Sequence, residues 1–286
     1  MNNKIIKNNM IVSTITDGFG NQLFMYACGY AMARRHKEKL ALDTTYLATS
    51  NLREYELDGL QVKFDKMYSI NKSLPYFLKV VLRKAIHACM SLRYKQYREI
   101  QAWHYDGELL QTTGSCRLKG YWQCEKYFKD YRNEILKMLS PSYEPTASFK
   151  ELLSKIRNSN SISVHVRRGD YVALGICLSD VYYKAAIRLM NERVETPEFY
   201  VFSDDIEYAK GLFDGIENAK INFVKYEARN ATIEDFLLMK SCLHNITANS
   251  SYSWWGAWAN ENNEKIIVCP KREPKDDFYP EEWINL

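Results

Sequence analysis

Nothing in this 286-residue chain approaches the roughly 18–20 consecutive apolar residues that a membrane-spanning helix needs. The opening MNNKIIKNNMIVS lacks the apolar centre of a secretory signal. No two cysteines stand in a C-x-x-C pair, their total of seven is odd, and the five histidines lie far apart. Metal-ligand spacing is therefore missing, and so is the paired framework of a disulfide-stapled secreted domain. Cys28, Cys89, Cys242 and Cys269 sit among apolar neighbours and are expected to be buried thiols, with a reducing cytoplasm as the simplest compartment. Repeats and low-complexity tracts are lacking too. The formal charge of +4 includes no basic stripe interleaved with aromatics, so no nucleic-acid partner is expected.

What is present is a 46% apolar fraction, enough to pack one large domain or two ordinary ones. Aromatics reach 14%, with 21 tyrosines and six tryptophans, rings that either fill cores or form platforms for sugars. The second half alternates strictly between strand and helix patterns. SISVHVR, EFYVFSD, INFVKY, HNITAN and EKIIVCP read as strands. SDVYYKAAIRLMNERV, IEYAKGLF, TIEDFLLMKSC and SYSWWGAWANEN read as the helices between them, with Ser179 as one cap and Thr232-x-x-Asp235 as a capping box. Such alternation predicts a parallel, doubly wound α/β sheet. The first half opens the same way, with strand NMIVSTIT, turn DGFG, helix NQLFMYACGYAMARRHK and strand EKLALD, then turns irregular through residues 50–130 apart from a strand at RLKGYW. SPSYEPTAS, residues 140–148, reads as a linker, giving domains of 1–145 and 146–286 with a ligand cleft between them.

Ligands of parallel sheets sit beyond the carboxyl ends of the strands. Arg167, Arg168, Gly169 and Asp170 follow one strand of the second half, Ser203, Asp204 and Asp205 the next, and Asn249, Ser250, Ser251 and Ser253 open the last helix. Arginines with a helix N-terminus suit a diphosphate, and a carboxylate suits ribose hydroxyls, so the set reads as a nucleotide site. Side-chain alternation puts His165 and Arg167 on one face, as hydrogen-bond donor and diphosphate clamp, and turns Arg168 toward a carboxylate partner. Asp204 and Asp205 point apart in an extended segment. Ribose or guanine recognition, or helix capping, is then as good a reading as a shared metal, and no metal is assigned.

In DGFGNQLFMYA, Gly18-x-Gly20 with Asp43 further on imitates a dinucleotide fingerprint, but Leu23 stands where the third glycine belongs. The turn is either a plain tight turn or a place where backbone approaches a ligand, with Asn21 and Gln22 facing the cleft. SLPYFLKVVLRKAIHACMSLRYK, 73–95, aligns Leu74, Leu78, Val81, Leu82, Ala85 and Cys89 on one helical stripe beside Lys79, Arg83, Lys84, Arg93 and Lys95. Packing on its own domain is the preferred reading, and peripheral attachment to an anionic membrane the other. Trp254, Trp255 and Trp258 either stack on a ligand or, for at least two of them, pack on the sheet.

DGFGNQLFMYA, GYWQCEKYF, VHVRRGDYV, FSDD and NSSYSWWGAW, in that order, resemble glycosyltransferase family 11, the α-1,2-fucosyltransferases that use GDP-fucose. The resemblance implies a GT-B-type fold: two Rossmann-like domains facing a cleft, the donor in the C-terminal one. It implies inverting, metal-independent transfer of L-fucose from GDP-β-L-fucose to the 2-hydroxyl of a galactose-terminated glycan, with no further cofactor. Arg167 would neutralise the departing diphosphate, Ser250 and Ser251 would hold it, and Asp204 or Asp205 the nucleoside. The Gly18–Gly20 loop would close over the donor. Asp170 is the candidate base for the acceptor hydroxyl, or else the partner that orients Arg167. The donor-loop motif usually reads G-G-L-G-N-Q, and Asp17 and Phe19 depart from it. Mammalian relatives carry an N-terminal membrane anchor, and its absence implies a bacterial, cytoplasmic enzyme working on polysaccharide or lipid-linked glycan at the inner membrane face.

Overall fold

The computed structural model describes residues 9–272 and 276–286. The reading of the N-terminus as signal-free falls largely on residues 1–8, outside the described ones. The chain forms two compact units, one of residues 9–140 with 276–278, the other of 141–272 with 279–286. The division falls inside the stretch read as a linker, and a three-residue return joins the first unit.

In the first unit β1 (Met10–Thr14), α1 (Phe19–His36) and β2 (Lys39–Asp43) follow as the sequence suggests. Within residues 50–130 the helix read at 73–95 is α2 (Tyr76–Arg93) and the strand read at RLKGYW begins in β5 (Cys116–Lys119), while β3 (Lys66–Tyr68) and β4 (Lys95–Arg98) are strands that reading did not give; the short α3 (Arg132–Met138) follows. The five strands run parallel in the order β3-β2-β1-β5-β4. β1, β2 and β5 are buried almost throughout, as central strands of a parallel sheet are, whereas the edge strands β3 and β4 are polar and half-exposed.

α2 is mounted against expectation. Met90 is the residue it buries, in a small core with Val12, Ala41 and Tyr94, and Ile86 packs against them. The stripe expected to pack on the domain faces outward instead: Val81 and Leu82 are exposed, and so are Ala85 and Cys89. Cys28, Cys242 and Cys269 are buried thiols, but Cys89 is not.

The second unit starts with a helix the sequence reading did not assign, α4 (Ala147–Arg157), which begins at the end of the stretch read as a linker and whose cap Thr146 accepts from the Phe149 amide at 3.1 Å. Then come β6 (Ser161–Val166), α5 (Gly169–Leu174), α6 (Asp180–Arg193), β7 (Glu198–Ser203), α7 (Ile206–Gly211) and β8 (Lys220–Phe223). α8 (Ala231–Ser241), β9 (His244–Ile246), α9 (Ser251–Trp258), β10 (Ile267–Cys269) and the two-residue β11 (Ile284–Asn285) complete it. Ser179 stands at the N-cap of α6 but makes no side-chain cap bond. At α8 the cap is Asn230, which accepts from Ile233, not Thr232. Asp235 instead accepts from the Tyr226 hydroxyl at 2.9 Å.

All pairings are parallel, in the order β11-β10-β9-β6-β7-β8. The chain starts at β6, proceeds outward through β7 and β8, then returns to the other side of β6 as β9. A topological switch point therefore lies between β6 and β9, where doubly wound sheets open a crevice for ligands. Trp254, Trp255 and Trp258 are buried and pack on one another, with Trp254 also 5.7 Å from Trp283. They are core, not a ligand platform.

Candidate active site

Register places the polar residues beyond the switch point. Val166 of β6 pairs with Ser203 of β7, so Arg167–Arg168 leave the sheet beside Asp204–Asp205. On the other side Val164 pairs with Ile246 of β9, so three residues on, Asn249 emerges level with Arg167.

Arg167 is held by two carboxylates: Nη2 lies 2.6 Å from Asp170 Oδ1 and Nη1 3.0 Å from Asp204 Oδ2. Its guanidinium also lies 5.6 Å from the Tyr171 ring centre. The other Asp204 oxygen accepts from the Arg168 amide at 2.8 Å. Gly169 is required here, because a Cβ would stand 2.7 Å from Oδ2 of the Asp204 carboxylate, whose two oxygens are each already engaged. Arg168 turns elsewhere, stacking 3.9 Å from the Tyr208 ring centre with Nε 3.5 Å from Asp205. Asp205 caps α7 by accepting from the Tyr208 amide at 3.1 Å, and Ser203 bonds the Asp205 backbone. The two neighbouring aspartates therefore do different work. Among the described residues, no three His, Cys, Asp or Glu side chains are grouped to hold a metal.

His165 is buried at the end of β6, its ring 5.5 Å from that of Tyr252 in the first turn of α9. Burial, reinforced by the Arg167 charge, lowers its pKa to about 4, so the imidazole is neutral at physiological pH. Nδ1 is buried without a hydrogen-bond partner. At the start of α9, Ser250 is the N-cap and accepts from the Tyr252 amide at 3.3 Å. Asn249 donates to the Ile176 carbonyl at 2.8 Å and leaves its own Oδ1 buried and unpartnered. Ser251, the first helical residue, is half-buried. Cationic, neutral-donor and helix-terminus groups thus share one edge of one sheet, an arrangement able to receive a diphosphate.

Sequence reading missed the three tyrosines that brace this edge. Tyr171 and Tyr252 lie inside motifs already singled out, but only the fold shows Tyr208 beneath Arg168.

In the first unit the DGFG turn is organised otherwise than expected. Asp17, with φ +61, takes the left-handed conformation that favours glycine and that aspartate tolerates. Its carboxylate accepts from Tyr121 and Thr16 at 2.8 and 2.9 Å. Gly18 caps α1, Gly20 is buried in its first turn, and Asn21 accepts from Gln123 at 2.8 Å. Gln22 is buried, donating to the carbonyls of Asp17 and Glu54 and accepting from the Glu56 amide. It is a strut for the loop and not a ligand group. Asp43, the acid of the apparent dinucleotide fingerprint, is fully buried and ion-paired to Arg117, with Thr45 donating to it at 2.6 Å and His87 Nε2 3.4 Å away. Burial alone would raise its carboxyl, but His87, Thr45 and Arg117 together hold it below the usual range. It cannot reach a ribose, and the fingerprint is only apparent.

Two parallel α/β units, the second with a switch point between β6 and β9, are the fold class of the GT-B glycosyltransferases. Over 94% of this chain the fold matches Arabidopsis thaliana FUT1 in complex with GDP, with TM-score 0.54, 11% identity and 71% of that chain covered. The chain belongs to glycosyl transferase family 11, whose model matches residues 10–286. It is 32% identical to an Escherichia coli alpha-1,2-colitosyltransferase, covering 97% of this chain and 99% of that protein. It is 29% identical to the Escherichia coli O-antigen biosynthesis glycosyltransferase WbnK, over 96% of this chain and 99% of that one.

Proposed function

We propose that this family 11 enzyme transfers L-fucose from GDP-β-L-fucose to the 2-hydroxyl of a galactose-terminated glycan, with inversion and without a metal or further cofactor. The observation that carries the reading is the Arg167 cluster beside the N-terminus of α9, at the switch point of the second sheet. There a guanidinium can neutralise the diphosphate as its bond to the sugar breaks, the part a divalent ion would otherwise play. His165, Ser250 and Ser251 are assigned to the same diphosphate as neutral donors. Asp204 is assigned to hold Arg167 in place, and Asp205 and Arg168 to brace the edge on which the nucleoside lies. Asp170 has its Oδ1 on Arg167, which favours the positioning role over that of base.

A second donor has a specific observation behind it, the 32% identity to an alpha-1,2-colitosyltransferase. Colitose is fucose without its 3-hydroxyl, so one contact separates the two donors. The test is incubation with lactose and either GDP-fucose or GDP-colitose, with product linkage read by NMR. An α-1,2-fucosylated product is expected. Transfer from GDP-colitose alone would reassign the donor, another linkage would reassign the acceptor position, and no transfer from either would contradict the reading.

A further inference from the structure

Helix α2 turns polar residues inward beside Met90 and Ile86. His87 Nε2 lies 2.9 Å from the Thr45 hydroxyl and 3.0 Å from Arg117 Nη2, which joins the helix to the buried Asp43–Arg117 pair. Arg83 donates to the Thr49 hydroxyl and stacks 5.1 Å from the Tyr46 ring centre, and Lys79 donates to the Lys72 carbonyl at 3.2 Å. With those residues turned inward, the opposite side of the helix carries a second apolar set. Phe77, Val81, Ala85, Ala88 and Leu92 fall within an arc of about 80° at the helical repeat of 3.6 residues per turn. All five are exposed, Phe77 at 70%, Val81 at 56% and Leu92 at 92%. A contiguous apolar stripe of this kind in water marks an interaction surface.

The charge around the stripe selects the partner. Lys84 and Arg93 are exposed on the same helix, and no Asp or Glu occurs between Lys66 and Arg98, although the whole chain carries only +4. A second copy meeting the same face across a two-fold axis would bring that excess against itself. Phosphate contacts to a nucleic acid would leave Phe77, Val81 and Leu92 without apolar cover. An anionic bilayer satisfies both demands, with apolar side chains at the acyl boundary and cations among the headgroups. We propose that the outward face of α2 docks the enzyme on an anionic lipid surface.

An amphipathic stripe of this kind lies in the interface plane, so the attachment is peripheral and reversible. The links of α2 to β5 through His87 and to the segment after β2 through Arg83 set the orientation in which the first unit would meet the bilayer.

Flotation of the full chain with vesicles tests this without reference to catalysis. The protein should float with phosphatidylcholine–phosphatidylglycerol vesicles and not with phosphatidylcholine alone, and less as salt rises. Lys84→Gln with Arg93→Gln should weaken partitioning roughly 25-fold, at about fivefold per cation near the surface. Phe77→Ser with Val81→Ser should abolish flotation while leaving the melting temperature unchanged, since both side chains are exposed. Failure of the unmodified protein to float with anionic vesicles would overturn the proposal. So would flotation indifferent to both pairs of substitutions, or a dimer in solution that the Phe77 and Val81 changes dissolve.

Discussion

Arg167 engages two carboxylates at once, and that fixes where its charge points. The roles proposed for Asp170 differ in a measurable way. Asp170→Asn keeps an acceptor oxygen for Arg167, so as a positioning residue it should lower kcat about tenfold or less. A general base removed by the same change would lose roughly 100-fold or more. Steady-state kinetics with saturating acceptor distinguishes them. His165 gives a second expectation at this scale. Its folded pKa of about 4 lies below that of the free imidazole, so between those values the unfolded chain binds the extra proton. The stability associated with this burial is complete above pH ~6.5 and should be lost as pH falls toward 4, by up to about 3 kcal/mol. Denaturant melts of the wild type and His165→Gln should converge over that window. Parallel curves would show that the histidine is not desolvated as described.

At the scale of elements, strands and helices with a clean period were legible, and those governed by tertiary partners were not. β6, β7 and α6 announce themselves by alternation or apolar spacing, while β3 and β4 are short, polar edge strands whose only signal is the neighbour they pair with. α4 was lost because its cap Thr146 sits in the proline-bearing linker. The capping box read at Thr232 failed because Asn230, two residues earlier, already supplies the Ile233 amide with an acceptor. Asn230→Ala should therefore lower stability by about 1 kcal/mol, and Thr232→Ala by clearly less. Equal losses in chemical denaturation would favour the capping box. The same cause explains Gln22. Its position at a helix start suggested a ligand group, but its partners at Glu54 and Glu56 lie more than thirty residues away, beyond the reach of local pattern.

At the scale of the whole molecule, the parallel α/β class was legible because strand and helix patterns alternate, and the strand ends that bring the candidate site residues together were legible with them. Strand order was not, since nothing local says that β9 returns beside β6. The family 11 motifs supplied the chemistry that composition could not. If guanidinium charge does the work of a divalent ion, fucosyl transfer should persist in EDTA at an unchanged rate. A strict metal requirement, restored by Mg²⁺ or Mn²⁺, would return Asp204 and Asp205 to the role of ligands.

The most direct measurement is a crystal structure of the GDP complex. Diphosphate oxygens within hydrogen-bond distance of the Arg167 guanidinium, beside the start of α9, are the expected result. A nucleotide bound away from the ends of β6 and β9 would contradict the account at its centre.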